Sequence, residues 1–340
     1  MLQSIESLGL QCQQAWDEAR KIAIPRRYRT VRHILINGMG GSGLVGHIIE
    51  SLYGDSIKVP LKVINSYTLP GFVNQETLCI LSSYSGTTEE VLAAFNEARR
   101  RRVKLLIICA GGTLAALAKR HHLPAYVFEP RFNPCNQPRM GLGYMLAGTL
   151  GLLARSGLLA TTGGEVKGAI RQILAGHRLY GARAPFKRNK AKQLARAWRG
   201  RAPVIVAAGH LSGNAHILAN QINENSKNFS NYFLISEMNH HLLEGLRFPK
   251  LNHHYLSFLL IESGLYLPRI QRRFAITKKV LKRNRMAVWQ YRARSSTKLS
   301  QVAEVLLFGS YVNFYLALLN GVDPSPIPFV DQFKKELRRA

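Results

Sequence analysis

The sequence is poor in acidic residues. Its 340 residues include 19 Asp and Glu against 47 Lys and Arg, which gives a formal net charge of +28. That imbalance favours anionic partners but does not specify a fold. Apolar residues make up 46% of the chain and charged residues 19%, so the composition excludes wholesale disorder. The length predicts about two domains.

Cysteine is scarce, and long apolar runs are missing. The four cysteines show no C-x-x-C spacing, which argues against a zinc ribbon or a disulfide scaffold. No apolar run reaches the roughly 18–20 residues that a membrane span needs. The N-terminal stretch MLQSIESLGLQCQQAWDEAR lacks a basic segment followed by an apolar one, so we expect no signal peptide. We therefore expect a cytoplasmic protein with no membrane partner.

Short apolar runs alternate with Gly- or Ser-rich turns and helical stretches in both halves of the chain. Such runs occupy residues 33–37, 61–67, 78–86, 104–112, 125–129, 203–209, 231–236, 253–262 and 286–291. Near-continuous apolar strands alternating with helices indicate parallel sheets covered on both faces. TTGGE (161–165) predicts a linker between the halves. The pattern predicts two doubly wound α/β domains, 1–157 and 158–340.

GMGGSG (38–43) follows the first predicted strand and opens a helix. Glycine lets a ligand approach the backbone, and the free N–H groups of a helix N-terminus favour an anion. The spacing departs from the dinucleotide pattern G-x-G-x-x-G. Taken alone, the motif leaves two interpretations open, a phosphate site or a purely structural turn.

SSYSGTTEE (82–90) strengthens the phosphate interpretation. Four hydroxyl side chains surround Gly86 at a strand-to-helix junction: Ser83, Ser85, Thr87 and Thr88. Capping the helix requires only one of them, so the cluster exceeds what an ordinary capped turn needs. Hydroxyls combined with helix N–H groups are suited to a phosphoryl group.

GMGGSG and SYSGTTEE at this spacing resemble the sugar isomerase (SIS) domain. Further segments resemble the bifunctional phosphoglucose/phosphomannose isomerase family, and they follow in the right order over nearly the whole chain: PRMGLGYML around Arg139, NENSKN (223–228), Asn239-His240 and VDPSPIPFVDQFKKEL at the C-terminus. The resemblance implies two tandem SIS domains, each a flavodoxin-like αβα sandwich with a five-stranded parallel sheet. It also implies a homodimer with the active site at the subunit interface, and no cofactor or metal.

The implied reaction interconverts glucose 6-phosphate and mannose 6-phosphate with fructose 6-phosphate through a cis-enediol. One base suffices, and burial raises a carboxylate pKa toward neutrality. Glu224 lies between two asparagines that we expect to hold it, and the resemblance makes it the base. Histidine suits ring opening because it titrates near neutral pH. The resemblance assigns this role to His240, from the neighbouring subunit, with His241 as the alternative.

The resemblance assigns the remaining site residues as well. Arg139 would stabilise the enediolate, as a fixed guanidinium does in a water-poor site. Lys334 would contact the sugar, although the adjacent Lys335 leaves the register open. The C-terminal helix would pack back on the active site in the second domain, and the first domain would bind the phosphate. The predicted phosphate-binding residues are Gly41, Ser42, Ser83, Ser85 and Thr88.

Basic runs stand at residues 99–102, 187–201 and 269–285 and at the C-terminus. Their helical spacing favours solvated helix faces, with apolar residues such as Trp198 on the other side. Salt-sensitive attachment to nucleic acid is the less favoured interpretation, since no helix-turn-helix, zinc finger or RNP-like pattern occurs. The alternative function is a noncatalytic SIS module that senses a sugar phosphate, associated with nucleic acid.

Overall fold

A computed structural model describes residues 1–337 of the chain. The first half contains a five-stranded parallel sheet in the order β2-β1-β3-β4-β5. Its strands are β1 His33–Gly38, β2 Leu61–Ile64, β3 Thr77–Ser82, β4 Lys104–Cys109 and β5 Ala125–Val127. All six residues of β3 are buried, as the apolar runs predict for a sheet covered on both faces.

The second half contains a parallel sheet in the order β7-β6-β8-β9. Its strands are β6 Ala202–Ala207, β7 Asn231–Leu234, β8 Leu256–Ser263 and β9 Ala287–Ala293. This sheet has four strands within residues 1–337, one fewer than the resemblance implies. The reason lies in the sequence, since this half supplies four apolar segments and then continues into one long helix. The predicted doubly wound α/β class is confirmed.

Helices cover the sheets. The first half has α1 Leu2–Glu6, α2 Leu8–Ala19, α3 Gly40–Tyr53, α4 Glu89–Arg100, α5 Gly112–Arg120 and α6 Leu142–Arg155. The second half has α7 Gly163–Tyr180, α8 Lys190–Trp198, α9 Ser212–Ser226, α10 Met238–Gly245, α11 Asn252–Tyr255, α12 Pro268–Arg283, α13 Lys298–Leu319 and α14 Pro328–Leu337. Single 3-10 turns lie at Arg26–Tyr28, Pro138–Met140, Phe186–Arg188 and Gly209–Leu211.

The predicted linker at 161–165 is instead the start of α7. The Thr162 side chain accepts a hydrogen bond from the Glu165 N–H at 3.2 Å, and the Glu165 carboxylate accepts one from the Thr162 N–H at 2.8 Å. This capping box satisfies two N–H groups that the first helical turn would leave unpaired. The Thr-x-x-Glu spacing therefore outweighs the helix-breaking tendency of the two glycines.

The two halves pack closely through α3 and α9. A methyl group at Gly213 in α9 would lie 2.6 Å from the backbone of Ile48 in α3, so only glycine allows this approach. Helix α13 is long and apolar enough to cross a membrane, but 78% of its apolar window is buried inside the protein. It serves as a core helix between α7, α8 and α9.

Candidate active site

The two predicted phosphate-binding turns begin side by side. Gly38 at the end of β1 is the register partner of Ser82 at the end of β3. Strand β1 lies between β2 and β3 in the sheet. The connection after β1 leads to β2 on one side of it, and the later connection from β2 leads to β3 on its other side, so the strand order reverses at β1. Ligands of such sheets bind in the crevice at this switch point, beyond the carboxyl ends of the strands.

The hydroxyls of the two turns have different roles. Ser83 is buried, and its Oγ lies 2.7 Å from Oγ1 of Thr88 and accepts a hydrogen bond from the Gly86 N–H at 3.1 Å. Thr88 is the N-cap residue of α4, yet its side chain does not cap the helix. The first-turn N–H groups of α4 therefore have no partner in the Thr88 side chain and are suited to an anion.

Ser42 and Ser85 complete the predicted set. Ser42 is buried, and its Oγ accepts a hydrogen bond from the Tyr84 N–H at 2.9 Å, which ties the first turn to the second. Ser85 is exposed, and its Oγ accepts a hydrogen bond from the Thr87 N–H at 3.2 Å. The Ser42 hydroxyl thus holds the two turns together, whereas the Ser85 side chain is exposed to solvent.

Gly41 joins the first turn to Arg139. A methyl group at Gly41 would lie 3.0 Å from Cα of Arg139 and 3.2 Å from its backbone nitrogen. The 3-10 turn Pro138–Met140 therefore packs directly on the start of α3. This contact fixes the backbone of Arg139 relative to the two predicted phosphate-binding turns.

The Arg139 guanidinium is buried, with a relative exposure of 2%, and every nitrogen has a partner. Nε donates to Oδ1 of Asn225, and Nη1 donates to Oε1 of Gln137 at 2.7 Å. Nη2 donates to the carbonyls of Pro324 and Ser325 at 2.8 and 2.7 Å. Burial lowers the pKa of Arg139, and the Glu224 carboxylate raises it.

Arg139 and three other buried residues form a closed ring of hydrogen bonds. Asn225, held by the guanidinium, donates to Oδ1 of Asn313 at 2.7 Å. Asn313 donates to Oε1 of Gln221 at 3.2 Å, and Gln221 donates to the backbone carbonyl of Arg139 at 3.0 Å. Buried polar networks of this kind rigidify when every member is satisfied. The ring ties α9 and α13 to Arg139.

Glu224 lies on the last turn of α9, with its carboxylate 3.6 Å from Nη1 of Arg139 and its side chain 29% exposed. Burial raises the pKa of Glu224, and the charges of Arg139, Lys334 and Lys227 lower it, in that order. Burial outweighs the three cations in this balance. A partly desolvated carboxylate beside a fixed guanidinium is suited to moving a proton between carbon atoms.

The asparagines flanking Glu224 do not hold it, contrary to our expectation. Asn225 holds Arg139, and Asn223 exchanges two hydrogen bonds with the backbone of Ser230, both at 2.9 Å. Side chains one residue apart on a helix point in different directions, which explains why neither reaches the carboxylate. Asn225 instead orients the Arg139 guanidinium, which in turn lies beside the Glu224 carboxylate.

Lys227 is a site residue that the sequence did not single out. It ends α9 in a left-handed conformation with φ of 50°. Its ammonium donates to the Glu224 carbonyl at 2.8 Å and to the Pro324 carbonyl at 3.3 Å. Asn313 and Gln221 were missed as well, because no motif marks a lone asparagine or glutamine on a core helix.

Lys334 and His240 occupy different positions relative to the pair. Lys334 is exposed on α14, near enough for its charge to lower the pKa of Glu224. His240 is exposed on α10 and makes no hydrogen bond or ion pair with Glu224 or Arg139 within residues 1–337. The single chain therefore brings together Arg139, Glu224 and Lys334 but not His240.

The loop before α14 reaches the site through its carbonyls at Pro324 and Ser325, whereas every residue of α14 is exposed. Packing of α14 itself onto the site, and the domain boundary at 157/158, remain predictions. The C-terminal basic run extends into residues 338–340, which lie outside the described residues. Residues 1–337 contain no group of three or more His, Cys, Asp or Glu side chains able to hold a metal ion.

The fold and these turns define an SIS-domain protein. Residues 28–129 match the SIS domain family, and residues 187–337 match the family described as bacterial phospho-glucose isomerase C-terminal SIS domain. The chain is 30% identical to the bifunctional phosphoglucose/phosphomannose isomerase of Aquifex aeolicus, with 97% of each chain covered. It is 28% identical to the protein of that name from Caldicellulosiruptor bescii, over 99% of this chain and 98% of the relative. The chain belongs to the bifunctional phosphoglucose/phosphomannose isomerase family.

Solved structures agree with this fold. A hypothetical protein from Thermus thermophilus superimposes with a TM-score of 0.77 at 16% identity, covering 99% of this chain and 90% of that one. The glucosamine-6-phosphate deaminase of Thermotoga maritima superimposes with a TM-score of 0.69 at 13% identity, covering 95% and 96%. At these identities the likeness shows the tandem fold alone.

Proposed function

We propose that this chain is an aldose–ketose isomerase that interconverts glucose 6-phosphate and mannose 6-phosphate with fructose 6-phosphate. The relatives of this family carry the corresponding name over nearly the full length of the chain. The observation that carries the chemical part is the Glu224 carboxylate 3.6 Å from the buried Arg139 guanidinium. This pair combines a base with a fixed positive charge, which favours the isomerase over the noncatalytic sugar-phosphate sensor.

In the proposed step, the Glu224 carboxylate takes the proton from C2 of the open-chain aldose. The C2–H electrons form the C1–C2 double bond, and the former carbonyl oxygen O1 gains negative charge. Arg139 stabilises that charge, which is worth more in a water-poor site than in bulk solvent. Glu224 then returns its proton to C1, while O1 gains a proton and O2 loses one, giving the ketose.

The phosphate is proposed to bind at the crevice between the first two turns. Its ligands would be the hydroxyls of Ser83, Ser85 and Thr88, the backbone at Gly41 and Ser42, and the first-turn N–H groups of α4. Lys334 is assigned to the sugar, and its nearness to Glu224 supports this assignment. A positive surface would also attract a dianionic sugar phosphate.

His240 is assigned to ring opening across a homodimer interface. His240 is exposed on α10 and makes no hydrogen bond or ion pair with Glu224 or Arg139 of its own chain within residues 1–337, which supports a role on a partner subunit. The exposed apolar side chains of α14 also support association, with Phe329 85% and Phe333 65% exposed. Metal independence, a cytoplasmic location, and a place in glycolysis and gluconeogenesis belong to the same proposal.

The test measures fructose 6-phosphate formation from both aldoses, with and without EDTA. We expect activity on both substrates at an unchanged rate in EDTA, and a decrease in kcat of about 10²- to 10⁴-fold in Glu224→Gln. The control is Glu76→Gln, which breaks a surface ion pair with Arg32. This pair lies at the amino-terminal ends of β1 and β3, opposite the ends that carry the two turns.

Full activity in Glu224→Gln would remove the proposed base. Thermal stabilisation of the wild-type chain by fructose 6-phosphate without any turnover would favour the noncatalytic sensor. Loss of activity in EDTA, restored by a divalent ion, would overturn metal independence. Equal losses in Glu224→Gln and Glu76→Gln would point to a general structural effect instead of catalysis.

A further inference from the structure

A cavity lies between helices α10 and α12, and neither Glu224 nor Arg139 lines it. Its volume is about 370 Å³, which falls within the range of small-ligand sites. Seven residues line it: Asn239, Leu243, Arg269, Arg272, Arg273, Ile276 and Thr277. None of them belongs to the site described above. This group is called the arginine pocket below.

The arginines of the pocket face one cavity because of their spacing on α12. Positions 269, 272, 273, 276 and 277 follow the spacing i, i+3, i+4, i+7 and i+8, so they share one face of the helix. Each guanidinium carries five N–H donors and no acceptor. Three of them around one cavity create a dense set of donors.

This positive charge is not neutralised by the protein within residues 1–337. None of the three arginines of the pocket forms an ion pair with a carboxylate there, although Arg101, Arg131 and Arg139 elsewhere in the chain do. The first turn of α12 also lacks acidic residues. Like charges held close together repel, so the arrangement gains from an anion between them.

One guanidinium of the pocket is positioned by neutral partners. Arg273 Nη1 donates to Oδ1 of Asn239 at 3.3 Å, and Asn239 Nδ2 donates to Oγ1 of the buried Thr277 at 2.8 Å. These two hydrogen bonds link α10 to α12, and because Asn239 and Thr277 are uncharged they do not neutralise Arg273. A guanidinium held in one orientation loses less entropy when it binds an oxyanion.

We propose that the arginine pocket binds a small ligand carrying two or more phosphate groups. Guanidinium groups recognise phosphate oxygens through paired N–H donors, and three arginines exceed what one phosphate needs. A single cation on an exposed helix face is screened by water. The arginine pocket instead holds its cations around a concave volume large enough for a ligand.

The experiment titrates the whole protein with inorganic tripolyphosphate by calorimetry, at about 0.15 M ionic strength. Saturating fructose 6-phosphate is present throughout, because Asn239 precedes His240 and the catalytic site also attracts phosphate. The test variant is Arg269→Gln/Arg272→Gln, which changes two exposed side chains. The matched control is Lys279→Gln/Lys282→Gln, which removes the same charge from exposed positions of the same helix outside the pocket.

We expect one tripolyphosphate per chain on the wild type and on the control variant. The Kd should increase at least about tenfold in Arg269→Gln/Arg272→Gln, which corresponds to one lost charge-assisted contact of about 1.4 kcal/mol. Orthophosphate should bind more weakly than tripolyphosphate. The isomerase rate of the test variant, measured separately, reports on the proposed function and does not affect this result.

Three outcomes would overturn the proposal. The first is no tripolyphosphate binding to the wild type. The second is equal weakening in both double variants, which would indicate attraction by overall charge only. The third is duplex DNA that displaces tripolyphosphate from the wild type and needs the same two arginines, which would assign the pocket to a nucleic-acid backbone.

Discussion

Glu224 Oε2 lies 3.6 Å from Nη1 of Arg139, and the next residue along α9, Asn225, accepts a hydrogen bond from Nε of the same guanidinium. One helix end therefore supplies both the carboxylate and the group that orients its cation. Because Glu224 and Asn225 lie on the same last turn of α9, that turn sets the distance between the Glu224 carboxylate and the Arg139 guanidinium. Burial raises the pKa of Glu224 while nearby cations lower it, so its protonation depends on each cation.

The acid limb of the pH–rate profile should respond to Lys334. The proposed base must be ionised, so kcat/KM falls as pH drops through the pKa of Glu224. Because Lys334 lowers that pKa, Lys334→Gln should raise it and shift the acid limb to higher pH. The shift should be small, since Lys334 is exposed and solvent screens its charge.

Lys335→Gln is the matched control for this shift. The two lysines are adjacent and exposed on α14, but consecutive helical side chains point about 100° apart. The control should therefore leave the acid limb in place. A larger shift in Lys335→Gln than in Lys334→Gln would reverse the assigned register of the C-terminal segment.

The sequence predicted the strands and turns that build the proposed phosphate-binding crevice. Apolar runs placed β1 and β3, and parallel topology then required the turns after Gly38 and Ser82 to meet at one edge. Arg139 and Glu224 came from resemblance to a family. The structure adds that they contact each other, which no local pattern in PRMGLGYML or NENSKN indicates.

The polar ring could not be predicted in this way. Asn225 and Asn313 are 88 residues apart and meet only because α9 and α13 pack in the core. Asparagine has low helix propensity, so its presence inside α13 is the one local sign of a buried partner. Such a sign identifies neither the partner nor its function. The number of strands in the second sheet, in contrast, could be read from the sequence, since that half contains four apolar segments and the sheet has four strands.

Glu224→Gln should stabilise the fold at neutral and higher pH. Burial raises the pKa of Glu224 in the folded chain above its value in the unfolded chain, so the folded state binds this proton more tightly. Ionisation therefore destabilises the fold as pH rises through this window. The variant should therefore melt at a higher temperature than wild type at about pH 8. The difference should vanish near the unfolded carboxyl pKa of about 4.3.

Melting curves of Glu224→Gln and wild type, recorded between about pH 4 and pH 8, show whether the substitution raises or lowers the melting temperature. A variant that melts lower than wild type at high pH would mean that the ion pair with Arg139 outweighs burial. The energetics assigned to the pair would then be wrong. Glu76→Gln, which alters an exposed ion pair with Arg32, should change the melting temperature by less than about 1 °C at any pH.

Asn313→Ala should damage both stability and catalysis. It leaves the Gln221 side-chain carbonyl without a partner and the Asn225 amide with the weak acceptor Met140 Sδ alone, which costs about 1–3 kcal/mol of unfolding free energy. Asn225 then holds Arg139 less firmly, so kcat should fall about tenfold or more with little change in KM. The control is Asn284→Ala at the C-cap of α12, where the side-chain amide donates to the Val280 carbonyl. Destabilisation of Asn313→Ala with an unchanged kcat would limit the ring to a structural role.

Gly41→Ala tests whether the first predicted phosphate-binding turn positions Arg139. The added methyl group would lie 3.0 Å from Cα of Arg139 and 3.3 Å from the carbonyl carbon of Pro138, so backbone and not a flexible side chain must move. A displacement of a few tenths of an ångström should carry the guanidinium away from Glu224 and lower kcat about 10- to 100-fold. The control is Gly71→Ala, where a methyl group meets nothing within 4 Å. The readout is kcat together with KM for fructose 6-phosphate. A rise in KM at constant kcat would mean that Gly41 contributes to phosphate binding alone and that Arg139 is positioned independently of it.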